Sequence, residues 1–127
     1  MNFCLFCCMI VVLEQDPEQR LSLHQQWQNN LPADNLVTVA DATELLHLLA
    51  SLRPAALCIG SENQSVVPTI RNMPAGQEVP IIVLAFSSLQ IDRTLAKQYN
   101  THFILKPLRP YQLQEITDRY LPVPSQK

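Results

Sequence analysis

Short, largely apolar runs alternate along this chain with segments of helical periodicity. Such runs indicate strands that are buried on both faces of a sheet, rather than strands with one face in water. The predicted strands are residues 8–13, 36–40, 55–59, 80–86 and 103–105. The first could extend back over residues 3–7.

Leucines and aromatic residues recur between these runs at helical spacing. The first predicted helix starts at Pro17 and runs to about Asn30, with Leu23, Trp27 and Leu31 on one face. Asp41 and Glu44 form a capping box for the second helix. The other stripes are Leu45, Leu48, Leu49 and Leu52 in the second helix, Ile91, Leu95 and Tyr99 in the fourth, and Leu113, Ile116 and Tyr120 in the last.

Polar residues and breakers mark the remaining connections. Residues 61–65 are predicted to be a polar loop, and residues 66–73 a short helix around Pro68. Ser87 and Ser88 can cap the fourth helix, and Asn100 is a plausible left-handed stop at its end. Five apolar strands alternating with helices predict an α/β fold, a parallel sheet covered on both faces.

Composition bounds the functions that this domain can have. The chain has 127 residues, and its charge is nearly balanced, with 9 Lys and Arg against 11 Asp and Glu. Binding of nucleic acid through its phosphates is therefore not expected. Cys4, Cys7, Cys8 and Cys58 are interpreted as reduced cysteines, because no second ligand pair accompanies the first two. The apolar start lacks the charge of a signal peptide and is too short to span a bilayer. A cytoplasmic protein without membrane contact is expected.

In an open α/β sheet the chemistry lies beyond the carboxyl ends of the strands. The residues at those positions form the candidate site: Glu14, Gln15, Gly60, Ala85 and Lys106. The central strand thus ends at a residue that has no side chain.

This layout resembles the receiver domain of two-component response regulators over residues 1–121, with residues 122–127 as the start of a linker or tail. Glu14, Asp16-Pro17 and Arg20 resemble the opening acidic pair of that family and its first helix, and Lys106-Pro107 resembles the conserved end of the fifth strand. The resemblance implies a three-layer, doubly wound, flavodoxin-like or CheY-like fold with strand order 2-1-3-4-5. It also implies phosphoryl transfer from a histidine kinase to an aspartate at the end of the third strand.

Three of the residues that this chemistry needs are replaced here. Gly60 stands where the family has its acceptor aspartate, Gln15 where it has an Mg²⁺ ligand, and Ala85 where it has a hydroxyl residue. With Glu14 as the one remaining carboxylate ligand, Mg²⁺ affinity should collapse, and without the aspartate phosphoryl transfer has no attacking oxygen. The resemblance is therefore to a degenerate receiver that is not an enzyme and has no cofactor, in which Lys106 pairs with Glu14.

Two other interpretations of the site remain open. Asp16 or Glu62 could act as a non-standard phosphoryl acceptor, although Ser61 and Glu62 are not expected to reach the position above Gly60 without a slip in register. Alternatively, a small ligand could bind in the space near Gly60.

The resemblance also implies where partners bind. Phe103 matches the family's aromatic switch and is expected to turn inward, as an ordinary core phenylalanine would. The face of the fourth helix, fifth strand and fifth helix is expected to bind a protein partner or a second copy, and it carries Leu89, Arg93, Lys97, Arg109, Tyr111 and Asp118. The first helix near Leu21 and Trp27 is the alternative. The proline-rich end suggests a C-terminal output domain, and the run 56–61 resembles degenerate receivers of flagellar master regulators that activate sigma-54 transcription.

Overall fold

Five parallel strands form one sheet in the order β2-β1-β3-β4-β5, which confirms the predicted topology. This computed structural model describes residues 9–28, 36–106 and 108–120. The strands are β1 (Ile10–Leu13), β2 (Leu36–Val39), β3 (Ala56–Gly60), β4 (Ile81–Ala85) and β5 (His102–Leu105), and the helices are α1 (Pro17–Gln28), α2 (Ala42–Leu49), α3 (Val67–Arg71), α4 (Arg93–Gln98) and α5 (Pro110–Tyr120).

Successive residues of each central strand enter opposite halves of the core, because side chains alternate across a sheet. Ile10, Ala56 and Cys58 pack with Trp27 of α1 and with α5 on one face. On the other face, the alternate strand residues pack with Leu45 and Leu49 of α2 and with Val67 and Ile70 of α3. Every residue of β1, β3 and β4 is buried, as their apolar composition predicts.

Two connections differ from the sequence prediction. Residues 61–65 are not an open loop: a 3₁₀ helix spans Ser61–Val66 and leads directly into α3. The predicted fourth helix is interrupted, because Ile91 has extended backbone angles (φ −90°, ψ 127°). Ser87 therefore caps only a short 3₁₀ turn, and the side chain of Asp92 caps α4 anew.

Other local predictions hold. Asp41 Oδ1 accepts a hydrogen bond from the Glu44 backbone N–H (2.8 Å), so the predicted cap of α2 is present. Asn100 has φ 54°, which confirms the left-handed stop. The predictions for residues 3–8 and 122–127, for the end of the first helix and for Leu31 lie outside the described residues.

Arg71 holds together two loops at the amino edge of the sheet. Its guanidinium donates only to backbone carbonyls, those of Gly76, Gln77, Val79, Tyr99 and Asn100. Partial burial lowers the pKa of this guanidinium. Gly76 is required beside it, because a β-carbon there would collide with the carbonyl oxygen of Ile70.

Cys58 lies fully buried in the middle of β3. Burial raises the pKa of its thiol to about 12, so the reactive thiolate does not form at neutral pH. Within the described part of the chain, no helix has the length and apolarity to cross a membrane.

Candidate functional site

The site is centred on a buried ion pair at the carboxyl edge of the sheet. Lys106 Nζ lies 2.9 Å from Glu14 Oε1, and the side chains of both are almost fully buried. The backbone N–H of Asp16 donates to the other carboxylate oxygen, at 3.2 Å. The pair expected from the sequence is thus formed, and both oxygens of Glu14 are used.

The turn between β1 and α1 is built to hold Glu14 in place. Arg20 Nη1 donates to the carbonyl oxygen of Glu14 at 2.9 Å, which ties the first helix back to the strand end. Asp16 Oδ1 accepts from the Glu18 N–H at 2.9 Å and caps α1. The carboxylate of Asp16 therefore acts as a helix cap, which does not favour it as a phosphoryl acceptor.

Glu62 corrects the sequence prediction for the space above Gly60. A β-carbon at Gly60 would lie 3.0 Å from Glu62 Oε1 and 3.3 Å from Glu14 Oε1. The prediction that Glu62 does not reach this point is wrong. The 3₁₀ helix that begins at Ser61 turns the chain tightly enough to fold this side chain back over the strand end. Carboxylate oxygens already stand where a small ligand would have to bind, so no observation favours a ligand sensor.

The other two replaced positions are adjacent to this centre. Gln15 is exposed, and its Oε1 accepts from Asn63 Nδ2 at 3.3 Å, which joins the loop after β1 to the turn after β3. Ala85 is fully buried at the end of β4, where its carbonyl accepts from the Lys106 N–H at 2.6 Å. The structure therefore brings all five predicted strand-end residues to one edge.

These residues do not fit a magnesium ion. Mg²⁺ needs hard oxygen ligands in an octahedral shell, usually including one or two carboxylates. Of the two carboxylates that lie near Gly60, that of Glu14 is bonded to the ammonium of Lys106, which leaves Glu62, and Gly60 itself offers only its backbone. Among the residues that the structure describes, no cluster of three or more His, Cys, Asp or Glu could hold a metal.

Phe86 is a site residue that sequence reasoning missed. Lys106 Nζ lies 4.6 Å from the centre of its ring, so the ammonium sits between a carboxylate and an aromatic face. The ring itself is half exposed. Its place at the carboxyl end of the predicted fourth strand, at the same edge as Lys106, was the signal that could have found it.

Phe103 does not turn inward, so both readings of this ring as buried are wrong. It is 40% exposed, and the guanidinium of Arg93 lies 5.8 Å from its centroid. Phe103 and Leu105 occupy one face of an edge strand, and the neighbouring α4 has only six residues. Since the fourth helix begins late, at Arg93, it leaves this face partly uncovered.

Comparison with solved structures finds receiver domains that share this fold. The receiver domain of a sensor histidine kinase from Pseudomonas aeruginosa, solved with magnesium in its active-site cleft, is 24% identical with TM-score 0.70, over 88% of this chain and 96% of that chain. Chemotaxis protein CheY4 of Vibrio cholerae is 18% identical with TM-score 0.77, over 90% and 98%. The chain has the receiver fold.

A further receiver-fold structure, the signal receiver domain of a histidine kinase from Syntrophus aciditrophicus, is 19% identical with TM-score 0.71, over 89% of each chain. No protein-family model and no curated protein matches the sequence. At these identities the similarity establishes the fold, and the chemistry must be inferred from the residues of this chain.

Replacing Lys106 with Met should destabilise the protein, because it leaves the buried carboxylate of Glu14 without its cation. We expect a loss of about 3–5 kcal/mol in the free energy of unfolding, the usual cost of breaking a buried pair from one side. Urea denaturation measures this loss. The matched double variant, Glu14→Gln with Lys106→Met, should recover a large part of the stability. A double variant that loses the sum of the two single effects would show that the two groups are not coupled.

Proposed function

We propose that this chain is a pseudo-receiver: a receiver-fold domain that accepts no phosphoryl group and acts in signal transduction through protein contacts, not as an enzyme. The observation that supports this proposal is the arrangement of side chains at the ends of the strands. The position above the end of β3 has no side chain of its own, and of the two carboxylates beside it that of Glu14 is already neutralised by Lys106. Phosphoryl transfer needs an attacking oxygen and cations for the phosphoryl charge, and this site has committed its ammonium to Glu14.

One observation favours a second candidate. Glu62 Oε1 lies 3.0 Å from the β-carbon position of Gly60, which is near the reach of an aspartate side chain at that position. A phospho-accepting receiver that uses Glu62 is therefore the alternative. The strand-end residues argue against this alternative, because their side chains do not suit the Mg²⁺ ion that phosphoryl transfer requires.

Treatment with acetyl phosphate and MgCl₂ separates the two candidates. We expect the intact mass of the wild-type protein to stay unchanged, because no free carboxylate is paired with a metal site. The cyanobacterial phytochrome response regulator RcpA, which has been solved in its phosphorylated form, is the positive control for phosphorylation. A phosphoryl adduct that disappears in Glu62→Gln would replace the pseudo-receiver proposal with the second candidate. An adduct that survives in Glu62→Gln would contradict both.

The contact surface that we propose is the face of α4, β5 and α5. It exposes large apolar side chains: Phe103 and Leu105 of β5 are 40% and 43% exposed, and Tyr111 of α5 is 63% exposed. Leu89, which is 94% exposed, lies on the 3₁₀ turn that precedes α4. Aromatic residues and arginine are enriched at protein interfaces, and apolar groups rimmed by charge mark interaction sites.

The charges around this face are compatible with a second copy as partner. Exposed cations Arg93 and Lys97 lie on α4, and exposed anions Glu115 and Asp118 lie on α5. A two-fold contact brings a surface onto itself, so one patch that carries both signs can complement its own image. Arg109, just before α5, adds a further exposed cation. Cytoplasmic location and a C-terminal output domain remain parts of this proposal.

Sedimentation at increasing concentration tests the homodimer. We expect the wild-type protein to dimerise irrespective of phosphodonor and Mg²⁺, and the variant Arg109→Glu, Tyr111→Ala to stay monomeric, because it loses a cation and an aromatic contact on the proposed face. Leu21→Ala is the matched control, since Leu21 is 58% exposed and lies on α1, which is not part of this face.

Two outcomes would contradict the homodimer. If the wild-type protein stays monomeric at the highest concentration, the face must bind a different protein. If Leu21→Ala abolishes dimerisation and the α5 variant does not, the interface lies on α1. Trp27 could not then take part in it, because its side chain is fully buried.

A further inference from the structure

The loop between β4 and α4 is held by two glutamine side chains. Gln64, on the 3₁₀ helix after β3, donates from Nε2 to the carbonyl oxygens of Ser61 (3.0 Å) and Gln90 (2.6 Å). Its Oε1 accepts from the Asp92 N–H at 2.8 Å. One half-buried amide thus bridges the turn after the central strand and the segment that precedes α4.

Gln90 closes the same loop from within. Its Oε1 accepts from the backbone N–H groups of Phe86 (2.8 Å) and Ser87 (3.3 Å). The hydroxyl of Ser87 accepts in turn from the Leu89 N–H, which completes a capping box. Most backbone donors between β4 and α4 are therefore bonded within the loop or to Gln64.

The hydrogen bonds of Gln64 also act on the proposed contact face. Asp92, whose N–H is bonded to Gln64, is the N-cap of α4 and accepts from the Leu95 N–H at 3.0 Å. The position of Asp92 fixes where α4 begins, and α4 carries Arg93, which lies over Phe103. Leu89 projects from the clamped loop and is almost fully exposed.

We infer that Gln64 and Gln90 form a permanent latch that fixes the β4–α4 loop, and with it the contact face, in one arrangement. The latch consists of uncharged amides, so its bonds need neither a metal ion nor a phosphoryl group. The inference rests on the proposed function in one respect, namely that no phosphoryl chemistry resets the loop. Its consequence is that this domain presents Leu89 and α4 to a partner continuously instead of on a signal.

Amide hydrogen exchange on the full chain tests the latch. In wild-type protein we expect the Asp92 N–H to be protected, and in Gln64→Leu to exchange about tenfold faster or more, because it loses its acceptor and the loop loses two further hydrogen bonds. Gln64→Glu should also accelerate exchange, since a carboxylate oxygen would then face the carbonyls of Ser61 and Gln90. The matched control is Gln25→Leu on α1, which should leave the loop unchanged.

Each outcome bears on one of the two proposals. Unchanged Asp92 exchange in both Gln64 variants, with the variants still folded, would overturn the latch and leave the pseudo-receiver proposal standing. If one of the two variants does not fold, the exchange of residues 86–92 in the other variant, measured at the level of peptides, decides whether the latch exists. A phosphoryl adduct on the wild-type protein would overturn the proposed function. If the wild-type loop exchanges faster with acetyl phosphate and Mg²⁺ while the mass is unchanged, the latch is not permanent and the inference fails.

Discussion

The carboxyl edge of this domain depends on one ion pair that crosses the sheet. β5 lies three strand spacings from β1, about 14 Å at the usual spacing of about 4.8 Å, yet Lys106 meets Glu14 at 2.9 Å. The two side chains can meet because the ends of the intervening strands are Gly60 and Ala85. Larger residues there would compete for the same space. The small residues at these two strand ends and the presence of the pair are therefore linked.

Amide side chains make further contacts between the loops of this edge. Asn63 bonds to Gln15, and Gln64 bonds to the loop before α4, so amides join the loops after β1, β3 and β4. Amide hydrogen bonds do not depend on a bound ion. In the proposed pseudo-receiver, amide hydrogen bonds thus hold these loops without a bound ion.

The strands could be predicted from sequence because each follows from a local pattern, and the ion pair because the resemblance to receiver domains implies it. Uninterrupted apolar runs produce buried parallel strands, and residues that follow such strands meet at one edge. Glu62 and Phe103 could not be placed in this way. The first depends on a 3₁₀ turn after Gly60, and the second on a helix that begins at Arg93 instead of earlier. Both are set by the geometry of connections, where polar residues permit several backbone paths.

Magnesium titration by calorimetry tests most directly the claim that this site has lost its ion chemistry. The comparison is between wild-type protein and the variant Gln15→Asp, Gly60→Asp, Ala85→Thr, which returns two carboxylates and a hydroxyl to the edge. A new carboxylate at residue 60 would displace the flexible end of Glu62 and compete for Lys106, which frees Glu14. We expect heat of binding from the variant and none from the wild-type protein. Wild-type binding as tight as that of the variant would contradict the account.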